Sequence, residues 1–431
     1  MNSRRRRKLL VGGMTLLGAL GAALVLAVHN IPQAGPFIAN SLRAVIGIEA
    51  VSRLEETVAS VEDTVMRMRA EPPRSLSSVS PTIIGADVAN APGAASVLAA
   101  PPLDAPLACF EPDGTEPPAA PAPSAPAFVP ADIRPPFPEV AAAGDGVWVP
   151  VPDPEHPEVP PVMYKTLLHP DAERGHAEVF IVALPSSSVR LRSVPGSEEP
   201  ASENPAVRGI AYRGFIPSDQ RGDLLAAFNG GFRVEHGHHG MMVDGVTIVP
   251  PRVDMCTIAG YEDGSLQIGT YSRLAALPRK PVWYRQSPRC MVEQGALHPG
   301  LRDPNSRGWG TALEGDTVIR RSGIALSEDG STLLVAVTNF TTARALAVGL
   351  RAAGGHNVAQ LDINRSFPKF LLFPRDESGV RRPASLFDGF LFDREEMLDE
   401  PNPRDFFYVV RRRVDERTEN APEVHAINQA G

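Results

Sequence analysis

The sequence predicts an α+β fold: one mixed, strand-rich domain built of hairpins plus a strand–helix–strand unit, behind an N-terminal transmembrane helix and a Pro/Ala-rich linker. Three observations predict it. Short apolar runs recur from Glu178 onward with Asp-Gly pairs between them. One helical segment stops at a double glycine. Proline, at 44 of 431 residues, is roughly twice its usual share and crowds into the chain ahead of the domain.

The strand candidates are Glu178–Leu184, Val189–Val194, Leu224–Asn229, Val246–Val249, Met255–Tyr261 and Leu266–Tyr271. Val282–Gln286, Thr317–Leu326, Thr332–Asn339, Val358–Ile363, Lys369–Phe373 and Phe406–Val410 complete the set. Asp244-Gly245, Asp263-Gly264 and Asp329-Gly330 each sit between two such runs, where glycine supplies the positive φ of a tight hairpin turn. A helix follows Thr341 or Thr342, either a good N-cap. It buries Leu346, Ala347 and Leu350 and ends at Gly354-Gly355. Thr332 to Ile363 is therefore one crossover unit in a domain otherwise made of hairpins.

Composition bounds the function. With 43% hydrophobic and 21% charged residues the chain can bury one sizeable core. A net charge of -8 excludes a whole-chain nucleic-acid binder, whose footprint would be basic. Lysine occurs only at Lys8, Lys165, Lys280 and Lys369, so nearly all cations are arginine, a compositional bias rather than a binding surface. Three cysteines exclude a disulfide-dense scaffold, and no Cys-x-x-Cys pair suggests zinc. Nothing in the motifs calls for a cofactor.

Residues Arg4 to Lys8 form an unbroken basic run, and Leu9 to Val28 follow without a charge. About 20 apolar residues span a bilayer core as a helix, and basic residues ahead of the span hold the N-terminus in the cytoplasm. A cleaved signal peptide is the alternative, although its apolar stretch is usually shorter and Val25-Leu26-Ala27 is a poor cleavage site. Residues 1–30 are thus expected to be a cytoplasmic stub and membrane anchor. The C-terminal domain of this single-pass cell-membrane protein then lies in the periplasm or outside the cell. Residues 31–71 read as an amphipathic juxtamembrane helix, with Ile38, Leu42, Val45, Ile46, Val51, Leu54, Val58, Val61 and Val65 at helical spacing. Self-association through 37–69 is one role for it. Residues 72–161 are expected to be a disordered linker, since about a third of positions 101–161 are proline, which lacks a backbone donor. The domain is expected over 162–413 and a polar tail over 414–431.

Three segments carry candidate chemistry. Leu224 to Phe232 is an apolar strand running into Asn229-Gly230-Gly231, where missing side chains let backbone N–H groups approach a ligand; a plain hairpin turn is the other reading. Arg321 lies within an apolar strand, where a guanidinium must find an anion or face water, and phosphate is its natural bidentate partner. Gln360 to Ser366 places Asp362 beside Asn364, Arg365 and Ser366 at the C-terminal end of a strand, where ligands of α/β units gather. Capping or turn formation by Asp362 stays open.

Taken in order, these segments resemble the phosphodiester glycosidase family. Its pattern runs Asn-Gly-Gly-Phe, an Asp-Gly hairpin, Arg-x-x-x-Gly with a second Asp-Gly turn, and Leu-Asp-Gly-Gly-Gly-Ser after a strand and helix. Asn229 to Phe232, Asp244-Gly245, Arg321, Leu361, Asp362 and Ser366 match it, over roughly Val162 to Asp393. Two departures stand out: Ala325 replaces a glycine, and Ile363-Asn364-Arg365 replaces the triple glycine.

The resemblance implies a hydrolase that cleaves a glycosyl-phosphodiester bond in envelope or extracellular glycans. Asp362, Arg321 and Asn229 would be its catalytic residues: Asp362 as the carboxylate, Arg321 on the phosphate, Asn229 orienting sugar hydroxyls. Gly230, Gly231, Asp244, Asn364, Arg365 and Ser366 would bind the substrate. The lost glycines leave a second reading, a catalytically weakened module of the same fold that binds a glycan or a partner protein. Glu235, His236, His238 and His239 are close enough in sequence to form an alternative metal set. Cys256 and Cys290 are either a disulfide or two buried thiols, and Cys109 falls in the proline tract.

Overall fold

The apolar runs assemble into three antiparallel sheets. The structure, a computed structural model, describes residues 34–69, 71–80, 128–202, 204, 207, 214–303, 308–309, 317–364 and 366–412. The expected membrane span at Leu9–Val28, residues 81–127 of the expected linker with Cys109, and the tail 414–431 lie outside the described residues. Among those described, no helix is long and apolar enough to cross a membrane.

The largest sheet has eight strands in the spatial order Val149–Pro150, Tyr164–Leu168, Val179–Pro185, Thr332–Thr338, Arg321–Leu326, Asn357–Ile363, Val292–Glu293, Ala296–Leu297. Side chains alternate across a strand, so its two faces carry two different sets. Phe180, Val182, Ile324, Val335 and Leu361 face a core shared with the other two sheets. Ile181, Ala183, Ala325, Leu334 and Ala336 pack under Leu346, Ala347 and Leu350 of the helix Ala343–Ala352. Burial of both faces explains why Val179–Pro185 reads as a continuous apolar run rather than an alternating one.

The helix starts where expected. Thr342 is its N-cap, accepting from the Ala345 amide at 3.1 Å, and Gly354 at φ 97° stops it. It carries the chain from Thr332–Thr338 to Asn357–Ile363, which lie on either side of Arg321–Leu326 and pair with it antiparallel. Those two flanking strands are therefore parallel to each other. This is the predicted crossover.

A second sheet holds Val246–Val249, Met241–Val243, Trp283–Ser287, Cys256–Gly260 and Leu266–Thr270; a third holds Ala384–Ser385, Phe370–Leu372, Leu224–Asn229, Phe406–Arg411 and Val189–Val194. Cys256 and Cys290 form a disulfide across a Cα separation of 4.7 Å. It ties the second sheet to the turn that enters Val292–Glu293.

Two expectations need correction. The domain does not begin at residue 162, because Ile133, Trp148 and Val151 are buried and Val149–Pro150 pairs with Tyr164–Leu168 as an edge strand. Proline is tolerated there because an edge strand leaves half of its donors unused. Leu76 and Val79 also enter the core. Secondly, the expected single helix over 37–69 is two helices, Ala34–Ile46 and Ile48–Arg69, broken at Gly47, whose φ is 85°. Val51, Ala59 and Asp63 are its buried positions, while Leu54, Val58 and Val61 stay exposed. Asp63 accepts from Arg174 at 3.0 and 3.2 Å.

Candidate functional site

Strand ends place the site. Leu224–Asn229 ends at Asn229, Arg321–Leu326 begins one residue before Ser322, and Asn357–Ile363 delivers Asp362. The Asn229 amide donates to Ser322 Oγ at 2.7 Å, and Ser322 Oγ donates to the Asp362 carbonyl at 2.9 Å. The Asp362 amide returns a bond to the Gly230 carbonyl at 3.0 Å. Three stretches 93 and 40 residues apart along the chain thus close on one another. Asn229 and Asp362 do converge.

Asp362 is 3% exposed. Its Oδ1 accepts from the Ile363 amide at 2.9 Å and its Oδ2 from Arg404 Nη2 at 2.7 Å. Burial pushes the carboxyl above its ordinary value, and the Arg404 guanidinium opposes that shift, as does the Ile363 amide. Arg404 also donates to the Gly231 carbonyl at 3.3 Å and lies 4.5 Å over the Phe367 ring. In this pair the guanidinium is the group able to take an anionic ligand, while the carboxylate can accept a proton or face a developing positive charge.

The glycines serve a different end from the one expected. The Gly230 amide donates to the Asp405 carbonyl and the Gly231 amide to Asp405 Oδ2, both at 2.9 Å. Neither amide points to a ligand. A Cβ at Gly230 would collide with Asp405, and one at Gly231 would sit 2.7 Å from Arg285 Cζ. Here the double glycine lets a buried ion pair approach the backbone. Arg285 Nε and Nη2 bond Asp405 at 2.8 and 3.0 Å, and the same guanidinium reaches the carbonyls of Phe232, His239 and Gln286.

Arg321 faces away from this cluster. It is fully buried, and it donates to the carbonyls of Thr341 at 3.2 Å, Trp309 at 3.2 Å and Thr317 at 2.8 Å, and to Gln360 Oε1 at 3.0 Å. Adjacent strand residues point to opposite faces, so Ser322, not Arg321, meets Asn229 and Asp362. The phosphate contact expected of Arg321 therefore has no geometry to support it. Its donors hold backbone carbonyls together.

Asp244 is exposed at φ 50° in its hairpin turn. Among the described residues it makes no hydrogen bond or ion pair with Asn229 or Asp362. Asn364 turns back on its own loop, accepting from the amides of Ser366 at 2.8 Å and Phe367 at 2.6 Å. Arg365 lies outside the described residues. In the His-rich loop Glu235 lies 3.3 Å from Arg233 and 3.6 Å from His236, while His239 is buried 5.7 Å from the Phe232 ring. Burial, helped by Arg285, lowers His239 to about 3. His236 is lowered by burial, with Arg404 among the cations adding to it. No group of three or more His, Cys, Asp or Glu side chains among the described residues is arranged to hold a metal ion.

Arg404, Asp405, Arg285 and Ser322 were missed. Arg285 had a usable signal, because it directly follows the apolar Val282-Trp283-Tyr284 inside an expected strand. Asn402-Pro403-Arg404-Asp405 precedes the last strand and carries no motif that points to a site.

The fold and site together define a mixed, strand-rich domain of antiparallel sheets with a polar cluster at converging strand ends. No protein-family profile matches the chain, and no curated protein sequence matches it. The chain is similar to the solved zebrafish N-acetylglucosamine-1-phosphodiester alpha-N-acetylglucosaminidase catalytic domain, at 16% identity over 59% of this chain and 84% of that one, with a TM-score of 0.37. A Synechocystis protein aligns at 12% identity over 59% of this chain and 65% of that one, TM-score 0.37. A Burkholderia pseudomallei protein aligns at 10% identity over 58% and 75%, TM-score 0.26.

Proposed function

We propose that this chain is an exported, membrane-anchored hydrolase of the phosphodiester glycosidase type, acting on a glycosyl phosphodiester of envelope or extracellular glycans. The observation that carries the reading is the closure of Asn229, Ser322 and Asp362 into one hydrogen-bonded cluster with Arg404 at its edge. The first and last of the ordered motifs that resemble the family, at Asn229 and Asp362, meet there, and the basic run and apolar stretch of residues 4–28 support the export and anchor.

A glycosyl phosphodiester breaks at its anomeric C–O bond. Water supplies the new bond to carbon, and the phosphomonoester leaves as a stable anion, so strong protonation by a general acid is less necessary than in other glycosidases. Asp362 as carboxylate receives the proton of the attacking water or faces the oxocarbenium-like carbon. Arg404 takes the phosphate role, exchanging part of its bond to Asp362 for the substrate oxyanion. Asn229 holds the Asp362 backbone through Ser322.

The test is release of free sugar from a panel of sugar-1-phosphate diesters by the full chain and by Asp362→Asn. Turnover in the wild type and its loss in a folded Asp362→Asn protein supports the proposal; equal turnover in both refutes the assignment of Asp362. A second reading, a glycan- or partner-binding module, is favoured by one observation: both Asp362 oxygens already have donors. Saturable binding of the diesters without any hydrolysis would establish it.

A further inference from the structure

The helix Ile48–Arg69 leaves one side of itself uncovered. Leu54, Val58, Val61, Val65 and Met68 recur along it at alternating steps of four and three residues. All five are 37–72% exposed. At 3.6 residues per turn they fall within about 80° of arc, narrower than the face of a helix packed on a core. An average step of 3.5 residues is the seam of a coiled coil, with Val58 and Val65 at its a positions and Leu54, Val61 and Met68 at d.

The opposite side of the helix holds it to the domain. Asp63 lies across the helix from the middle of the stripe and is buried, accepting from Arg174 at 3.0 and 3.2 Å. Ala59, one turn earlier, is buried as well. A second helix can therefore lie along the stripe without displacing the domain. Thr57 and Thr64 border the stripe, and each hydroxyl donates back to a carbonyl of its own helix, Arg53 at 2.8 Å and Ser60 at 2.9 Å. Both hydroxyls keep a partner when water is excluded.

The chain outside the described residues offers no helix to cover the stripe. The longest proline-free stretch of residues 81–127, Thr82–Ala91, is shorter than the stripe itself, and proline breaks a helix. The tail 414–431 is polar and interrupted by Pro422. Residues 9–28 are apolar on every side, the pattern of a bilayer span rather than of a seam. A lipid surface fits poorly too. Helices that lie on membranes pair Trp, Phe or Leu with a basic face, whereas Ile48–Arg69 has no aromatic residue and carries Asp63 on its far side. A second copy of the same helix supplies the matching seam.

We propose that this stripe is a dimerisation surface for a second copy of the chain, the two helices lying parallel and in register so that each stripe residue meets itself. β-branched residues at a with leucine at d favour two parallel strands. An anchor ahead of residue 34 points both copies the same way and raises their effective concentration, which a seam of little more than two heptads requires. That orienting step rests on the anchor of the proposed function; the stripe does not.

Disulfide trapping in the full chain tests it, in a Cys109→Ser background that keeps Cys256–Cys290. Val58→Cys, Val61→Cys and Val65→Cys, each oxidised in the membranes of the expressing cells, should give a covalent dimer on a non-reducing gel. Ser60→Cys, exposed but off the stripe, should give severalfold less. Adding Val61→Asp to Val58→Cys should abolish trapping while the thermal unfolding of the domain stays unchanged. Equal trapping at Ser60 and on the stripe overturns the proposal, as does trapping only between Val58→Cys and Val61→Cys chains, the antiparallel result. Absence of trapping overturns it as well; a stripe lying on lipid gives that result, with the Val61→Cys thiol shielded from a water-soluble maleimide only while vesicles are present. Alkaline carbonate extraction reads the anchor separately. A chain that washes off the membrane refutes the anchor, and the same oxidation of the concentrated, washed-off protein then decides the stripe.

Discussion

Arg404 Nη2 lies 2.7 Å from Asp362 Oδ2, joining the turn just ahead of the final strand to the end of the strand that follows the helix. The bond sets the electrostatics of the cluster. Burial favours the protonated carboxyl, and Arg404 is the first influence acting against it. Neutralising the cation as Arg404→Gln should therefore move the acid limb of a kcat/KM profile to higher pH. A limb that stays in place would separate the carboxylate from the activity. The stability sign runs the other way from a salt-bridged surface aspartate. A carboxyl raised in the folded state binds its proton more tightly there, so its contribution is full at low pH and is lost as pH climbs from 3.8 through the raised value. Asp362→Asn should remove that decline.

Gly230 is predicted to be intolerant of alanine although it needs no positive φ. The added Cβ meets both the side chain and the backbone of Asp405, and Asp405 cannot retreat because Arg285 grips it from two nitrogens. Overpacking of this kind costs about 1–3 kcal/mol. Urea unfolding of Gly230→Ala should show a lower midpoint at unchanged slope, and an unaltered midpoint would mean that the loop relaxes freely.

Arg321→Gln should act on stability rather than on substrate. It strips donors from three buried carbonyls and from Gln360 Oε1, a loss of about 3 kcal/mol when buried acceptors are left unsatisfied. The readout is a split: reduced unfolding free energy with KM unchanged for the protein that remains folded. A raised KM at undiminished stability would restore the phosphate role.

His239 should govern part of the acid sensitivity. Burial first, and Arg285 second, hold it at about 3 against an ordinary 6.5. Below 6.5 the unfolded chain takes a proton that the folded one refuses, so stability is full above that value and lost as pH falls toward about 3. Within the window the slope approaches about 1.4 kcal/mol per pH unit. His239→Phe should flatten it in denaturant titrations run from pH 7 to pH 4.

Much of the fold was legible because its signals are local. Short apolar runs, Asp-Gly turns and a threonine-capped helix ending in glycine each declare themselves within a few residues, and the capped helix Ala343–Ala352 appears as read. The packed segment 128–161 was not legible, since proline content suggests disorder and says nothing about an apolar neighbour waiting for Ile133 and Trp148. The break at Gly47 was overlooked for a related reason: helical spacing continues through a residue whose φ is 85°.

At the candidate site the division is sharper. The chain alone marks Asn229 and Asp362 as polar residues at the ends of apolar strands, and it marks Arg321 as a cation in need of a partner. It cannot say which way a strand residue faces, because shifting a register by one residue exchanges the two faces. The tertiary structure turned Arg321 into a cage of carbonyls, put Ser322 between Asn229 and Asp362, and brought Arg404 and Asp405 from a turn more than forty residues beyond Asp362. Local sequence decides which residues are costly to bury. Only the packing of three sheets decides which partners meet that cost.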